Sequence, residues 1–148
     1  MRTLTRSALV PFSAEQMFTL VNDIERYPEF LPWCKAAEVF SENYDPKEGG
    51  QVRAALTIRR SRIEERFETK NFSKFPGLIE IELVHGPFRH LKGTWEFKPL
   101  GGIGSKTELT LEYQIAGAMI ERAIMGVVRK TANSMVDAFC VRAAAIYE

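Results

Sequence analysis

The residue types best suited to bind a transition metal or to carry a proton near neutral pH are scarce in this 148-residue chain, which has two histidines and two cysteines. Its two histidines, His85 and His90, lie on either side of a Gly-Pro turn in HGPFRH, without a Cys or carboxylate at the spacing of a metal site. A nucleophile or cofactor loop is also missing beside them, so acid/base catalysis is not indicated. Cys34 and Cys140 are expected to be buried, reduced thiols, with a reactive Cys34 or a long-range disulfide as the less favoured alternatives. No metal is predicted.

Familiar catalytic fingerprints are absent from the sequence. It contains no GxSxG, P-loop, HExxH or Rossmann motif, and GGIG at 101–104 is a turn without an expected following helix. Glu65, expected on the same strand face as Ile63 and Phe67, is the one carboxylate that could be buried. The sequence therefore favours binding over catalysis.

Positive charge is concentrated in the middle of the chain. Residues 51–106 contain 11 Lys/Arg and 6 Asp/Glu, whereas residues 1–50 contain 5 and 8. Arg59, Arg60 and Arg62 cluster at an expected turn between two strands. Such an edge could contact RNA or an anionic membrane surface, but a solvated strand face would explain the excess as well. The chain lacks an aromatic-rich RNA-stacking motif, and no DNA contact is expected.

Apolar spacing and turn residues indicate which elements position these groups. Ser13 and Gln16 form a capping-box pattern before an apolar-periodic segment, which predicts a first helix over residues 13–24. Pro28 is expected to end this helix, because the residue before a proline is pushed out of the helical region. One further helical turn is expected at residues 30–31.

Between residues 36 and 116 the apolar period changes to two, as in half-buried antiparallel strands. Strands are predicted there at about residues 37–43, 51–58, 62–73, 79–83, 91–98 and 108–115, and a further strand precedes the first helix at about residues 3–10. Residues 118–147 return to a helical period and predict one long helix. The predicted fold is α+β, a single domain over residues 1–148 with about seven strands curved around the C-terminal helix and two short helices between strands 1 and 2. Ala54, Ala55 and Gly93 are expected to leave space between sheet and helix.

Three segments carry a family resemblance. They are VNDIERYPEFLPWC at 21–34, HGPFRHLKGTWEF at 85–97, and the final helix with its small and β-branched face. Together with the order of elements, they resemble the coenzyme-Q-binding START-like proteins of the Bet v 1-like, polyketide cyclase/dehydrase-like superfamily, whose fold is a helix-grip. The resemblance covers essentially the whole chain. The family's bacterial branch includes a ribosome association toxin.

The resemblance implies a non-enzymatic protein that binds a hydrophobic ligand between the sheet and the C-terminal helix. The expected ligand is ubiquinone or another polyprenyl quinone, in support of respiration, and no cofactor is required. The alternative implied by the bacterial branch is a toxin that binds the large ribosomal subunit and blocks subunit association. A cyclase- or dehydratase-type enzyme is a further alternative, because some helix-grip relatives have such activity.

A quinone site needs apolar walls with a few polar groups at its mouth. Residues 27–33 are expected to close one end of the cavity as a lid or plug, as in similar proteins. Phe88 is expected to lie at the edge of the cavity opening. The candidate cavity residues are Tyr27, Phe30, Leu31, Trp33, Phe88, Trp95, Phe97, Leu109, Leu111, Tyr113, Ile124, Val127, Val128, Thr131 and Met135. Each of these could equally be an ordinary core residue. The candidate ribosomal or anionic contacts are Arg59, Arg60 and Arg62.

The sequence predicts a soluble protein. No window approaches the roughly 18 consecutive apolar residues of a spanning helix, and the N-terminus lacks the apolar region of a secretory signal. A cytoplasmic protein is expected, with transient contact to the inner-membrane surface as a compatible addition.

Overall fold

A computed structural model describes residues 2–45, 49–60, 62–115 and 117–147, without the side chains of residues 41, 42, 44, 118, 120, 123 and 124. The order of elements confirms the predicted helix-grip architecture. The elements are β1 (Arg2–Val10), α1 (Ala14–Asn22), a 3₁₀ helix (Ile24–Glu29), β2 (Cys34–Asp45), β3 (Gly49–Arg60), β4 (Ile63–Lys74), β5 (Leu78–His85), β6 (Phe88–Pro99), β7 (Ser105–Ile115) and α2 (Ala118–Tyr147).

The seven strands form one antiparallel sheet in the order β1-β7-β6-β5-β4-β3-β2. Each neighbouring pair except β1 and β7 is consecutive in sequence, so short hairpin turns set the register of most of the sheet. Side chains alternate between the faces, and Leu56 lies opposite Phe67 while Ile58 lies opposite Glu65. The inner face of the β3–β4 hairpin is therefore apolar around Leu56, Ile58 and Phe67, with Glu65 beside them. Farther along β4 the same face carries the polar residues Thr69, Asn71 and Ser73.

The first helix confirms the predicted cap, while the second helical segment differs from the prediction. The Ser13 hydroxyl accepts a hydrogen bond from the Gln16 amide at 3.1 Å, and the Ser13 amide donates to Gln16 Oε1 at 2.9 Å. α1 ends at Asn22, because Asp23 leaves the helical region with ψ of 71°. The chain then forms the 3₁₀ helix through Pro28, earlier than the turn expected at residues 30–31.

The long helix α2 covers the inner face of the sheet. Ala132, Val136, Phe139 and Ala143 follow each other at helical spacing and are all buried. The C-terminal end is tied to the preceding helices, since the Tyr147 hydroxyl donates to the Gln16 carbonyl at 2.9 Å. The core thus lies between the sheet and three helical segments. Within the described ranges, no helix is both long and apolar enough to cross a membrane.

Candidate functional site

An apolar cavity of about 160 Å³ lies between the sheet and the middle of α2. Strands β3 to β7 supply most of its wall and α2 closes it. The lining residues are Leu56, Ile58, Ile63, Glu65, Phe67, Thr69, Ile81, Pro87, Phe88, Leu91, Trp95, Leu109, Leu111, Val127, Val128, Thr131, Ala132 and Met135. Glu65 is exposed, so the cavity reaches the surface beside the tip of the β3–β4 hairpin.

About half of the residues expected from the sequence line this cavity. These are Phe88, Trp95, Leu109, Leu111, Val127, Val128, Thr131 and Met135. Tyr27, Phe30, Leu31, Trp33, Phe97 and Tyr113 do not line it. The side chain of Ile124 lies outside the described part of the structure. The structure therefore brings together part of the expected set on α2, β6 and β7, and it places Phe97, Tyr113 and residues 27–33 outside the cavity lining.

Residues 27–33 fill the space beneath the C-terminal part of α2. The rings of Tyr27 and Phe30 each lie 5.3 Å from the ring of Phe139, and Trp95 approaches the same ring at 5.4 Å from the other side. Leu31 is fully buried, and the indole Nε1 of Trp33 donates to the Ser134 hydroxyl at 2.8 Å. Aromatic pairs at these distances add stability beyond the area they bury. This segment is therefore a packed plug.

Phe97 and Tyr113 are also engaged in packing. Phe97 is buried next to Phe18, with ring centroids 6.0 Å apart, and Tyr113 is buried against Phe88 at 6.1 Å. Trp95 stands at the boundary, because it lines the cavity and also contacts Phe139. The chain thus has a tightly packed end and a hollow end, divided by Trp95.

The cavity residues that sequence reasoning missed come mostly from β3, β4 and β5. The missed residues are Leu56, Ile58, Ile63, Glu65, Phe67, Thr69, Ile81, Pro87, Leu91 and Ala132. A signal for them is present in the sequence, because Leu56 and Ile58 alternate with Ala55 and Thr57, which places the two apolar side chains on one face of the predicted strand. What the alternation does not give is the depth at which each side chain meets α2.

Polar groups in the cavity are sparse. Thr69 donates a hydrogen bond to Asn71 Oδ1 at 3.0 Å. The Thr131 hydroxyl is buried, and it finds no hydrogen-bond partner among the described residues, although Thr in a helix can donate to a preceding carbonyl. A buried hydroxyl without a partner costs about 1–3 kcal/mol. Thr131 is therefore a lining residue whose hydroxyl lacks a hydrogen-bond partner in the described structure.

The three arginines expected at the β3–β4 turn do not form one patch. Arg59 lies opposite Glu64 and Arg60 opposite Ile63, so alternation sends their side chains to opposite faces of the sheet. Arg59 and Arg62 are exposed, while Arg60 is half-buried and its Nη1 has no partner in the described structure. The turn presents positive charge on both sides of the sheet edge.

Metal-binding geometry is not found in the part of the chain that the structure describes. No group of three or more His, Cys, Asp or Glu side chains comes together there. His85 is exposed and His90 half-buried on β5 and β6, at the turn beside Phe88. Cys34 and Cys140 are both free thiols.

Cys34 gives a prediction about alkaline stability. Burial raises the pKa of its thiol from 9.0 to about 11, so the folded state favours the neutral form. This contribution is complete below about pH 9 and is lost as pH rises toward 11. Urea denaturation should show the free energy of unfolding falling more steeply across this window in the wild type than in Cys34→Ala. Parallel curves for the two proteins would contradict it.

Comparisons with known proteins agree with the fold. The model of the family described as polyketide cyclase/dehydrase and lipid transport matches residues 10–140. The ribosome association toxin RatA of Pseudomonas aeruginosa is 42% identical over 144 residues, which cover 97% of this chain and 96% of that protein. The mitochondrial coenzyme Q-binding protein coq10 of Schizosaccharomyces pombe is 26% identical over 115 residues, which cover 76% and 69%.

A solved structure extends the comparison of folds. The Zhui aromatase/cyclase of a Streptomyces species matches with a TM-score of 0.86 and 15% identity, covering 99% of this chain and 96% of that one. At this level of sequence identity the match shows a shared fold and does not indicate a shared activity, because one scaffold can host unrelated activities.

Proposed function

Because this chain belongs to the polyketide cyclase/dehydrase and lipid transport family, we propose that it binds an apolar, ring-bearing ligand, a polyprenyl quinone of the ubiquinone type, between the sheet and α2. The observation that carries this proposal is an apolar cavity whose buried Thr131 hydroxyl has no partner in the described structure. A quinone ring is apolar on both faces and carries carbonyl oxygens that accept hydrogen bonds. The coenzyme Q-binding relative supports this ligand class. Such a protein would support respiration as a quinone carrier.

The size of the cavity limits how a quinone binds. An apolar cavity of about 150 Å³ holds one benzene molecule, whereas whole drug-sized ligands occupy about 300–1,000 Å³. The cavity of about 160 Å³ therefore suits a single ring. The prenyl tail then leaves through the opening beside Glu65, where it can lie on the surface or in a membrane.

The proposed activity is binding rather than catalysis. Among the described lining residues, Glu65 is the one ionisable side chain, and it lies at the opening. General acid/base chemistry needs a proton-transferring group placed on the reacting atoms, and nucleophilic chemistry needs an activated Ser, Cys or Lys. The lining supplies neither arrangement.

The test of ligand binding is extraction followed by titration. Protein purified from its own cells is extracted with organic solvent, and the extract is examined by mass spectrometry for prenyl quinones. The stripped protein is then titrated with a short-chain ubiquinone analogue. Absence of a quinone in the extract together with no binding of the added analogue would rule the proposal out.

Replacing Thr131 by Val should have opposite effects on stability and on binding. Valine keeps the shape but removes the buried, unpartnered hydroxyl, so the free energy of unfolding of the ligand-free protein should rise by about 1 kcal/mol. Affinity for the quinone analogue should fall about fivefold, since one hydrogen bond to a carbonyl is lost. Denaturation and calorimetric titration measure the two effects.

The control for this variant is Thr131→Ser, which retains the hydroxyl. A matched ligand pair adds a second control, because acetophenone carries a carbonyl and ethylbenzene does not. Only acetophenone should bind more weakly to Thr131→Val than to the wild type. Equal losses for both ligands would assign the effect to packing.

We also propose a second function, binding to the large ribosomal subunit so that it cannot associate with the small one. The relative that supports it is the ribosome association toxin RatA, which is 42% identical over 97% of this chain. The comparisons support this function more strongly than quinone binding, while the cavity supports quinone binding. The two functions need different surfaces and can coexist in one protein.

Sucrose gradients test the ribosomal function. Overproduction of the protein should enlarge the free-subunit peaks at the expense of intact ribosomes, and the protein should sediment with the large subunit. Unchanged peaks at a protein level comparable to that of ribosomes would count against this function.

A further inference from the structure

A second concave site lies on the other side of α2. It is a cleft of about 450 Å³ between the start of β1 and the first half of α2. Its lining residues are Arg2, Glu121, Arg122, Met125, Gly126 and Arg129. We call it the arginine cleft. Positions 122, 126 and 129 share one side of the helix, distinct from the side of Val127, Val128 and Thr131 that faces the apolar cavity.

The arginine cleft carries positive charge that the protein leaves uncompensated. Arg2 forms an ion pair with Glu121, which also ties β1 to α2. Arg122 and Arg129 are exposed, and neither contacts a carboxylate in the described ranges. Further along the same groove, Arg6 on β1 donates a hydrogen bond to Asn133 on α2. Glu121 is the single acidic side chain of the lining, against three arginines.

The backbone of the cleft is accessible at Gly126. A Cβ added to this glycine would meet no atom within 4 Å, so the cleft is open there. Arg122 and Arg129 are seven residues apart and thus separated by about 10 Å along the helix axis. Two guanidinium groups at that separation can each meet a different phosphate of one strand, and guanidinium binds phosphate bidentately.

We propose that the arginine cleft binds the phosphodiester backbone of ribosomal RNA. This inference rests on the ribosomal function proposed above and names the surface that carries it. A concave, arginine-lined cleft admits a protruding strand of phosphates, whereas a bilayer presents a flat layer of headgroups. The cleft also gathers its arginines on one surface, unlike Arg59 and Arg60, which lie on opposite faces of the sheet.

The experiment compares two double variants of equal charge change. Arg122→Gln/Arg129→Gln removes the two unpaired guanidinium groups of the cleft. Lys98→Gln/Lys106→Gln removes two lysines whose partners, Glu96 and Glu108, lie on the sheet. Co-sedimentation with purified large ribosomal subunits is measured between about 50 and 200 mM salt. Thermal melting and quinone-analogue titration establish that both variants are folded.

The cleft variant should bind large subunits at least about tenfold more weakly at the lowest salt. Its plot of log affinity against log salt should be shallower than that of the wild type by about 2, because each phosphate contact contributes about 1 to the slope. The lysine control should retain the wild-type slope. Binding to the quinone analogue should be unchanged, because the cavity lies on another side of α2.

Four outcomes would overturn the inference. If the cleft variant keeps both affinity and slope, the ribosomal function stands and the cleft is not its surface. If only an Arg59→Gln/Arg62→Gln variant shows a weaker dependence of subunit affinity on salt, the contact is at the β3–β4 turn. If the wild type itself fails to bind subunits, the ribosomal function fails and the inference fails with it. If the cleft variant loses binding to vesicles of phosphatidylglycerol and phosphatidylcholine but not to subunits, the partner is a membrane.

Discussion

Val127→Trp is expected to lower the affinity for a quinone analogue about a hundredfold, or about 2.8 kcal/mol. Val127 lines a cavity of about 160 Å³, and an indole ring at this position would occupy the volume that the ligand ring needs. Because the added ring enters existing space, the fold should tolerate it better than insertion into a filled core. Calorimetric titration gives the affinity, and thermal melting reports the stability.

The matched control is Val141→Trp. Val141 lies on the same helix and is 71% exposed, so the same substitution adds an indole ring to the surface. This variant should bind the quinone analogue as the wild type does. Wild-type affinity in Val127→Trp would show that the ligand binds elsewhere, and equal loss in both variants would point to a general effect on α2.

Phe139→Ala is expected to lower the free energy of unfolding by about 3–5 kcal/mol. Phe139 is fully buried, and its ring contacts the rings of Tyr27, Phe30 and Trp95. Removing it leaves a cavity at the point where α2, residues 27–33 and the sheet meet. Urea denaturation followed by circular dichroism measures the loss.

The control for this change is Phe72→Ala on the outer face of β4. Phe72 is 43% exposed, so its truncation creates no internal cavity and should cost at most about 1 kcal/mol. A cost for Phe139→Ala no larger than that of Phe72→Ala would mean that the plug collapses to refill the space. Phe139→Leu should fall between the two, because it retains most of the buried volume.

The elements of the fold could be predicted because their signals are local. Alternation of apolar residues indicated the strands, and Ser13 with Gln16 indicated the first helix start, which the structure confirms. The segment after α1 was misplaced because Pro28 was expected to end a helix. In the structure it lies inside a 3₁₀ helix, which ends one residue later.

The extent of the cavity could not be predicted, because it depends on how volumes from distant segments add up. Gly93 is expected from the sequence to leave space, yet a Cβ at this position would lie only 3.1 Å from Leu111 and 3.5 Å from Ile81, so these side chains pack closely against the glycine. The aromatic residues of 27–33 look the same in sequence whether they cover a ligand or fill a core. Only their contacts with Phe139 distinguish the two.

The arginine cleft was missed for a related reason. The region after residue 106 has almost no net charge in sequence, so nothing singled out Arg122 and Arg129. The pairing of β1 with β7 brings the N-terminus beside α2 and adds Arg2 to them. Charge counted along the chain does not reveal a cluster assembled from its two ends.

The place of Trp95 between the hollow and the packed ends gives the protein an optical reporter of its own. Quinones quench indole fluorescence at short range, and Trp95 lines the cavity. The chain has two tryptophans. The other, Trp33, lies in the plug, where its Nε1 donates a hydrogen bond to the Ser134 hydroxyl. Emission from Trp95 can therefore follow occupancy of the cavity, while emission from Trp33 follows the integrity of the plug.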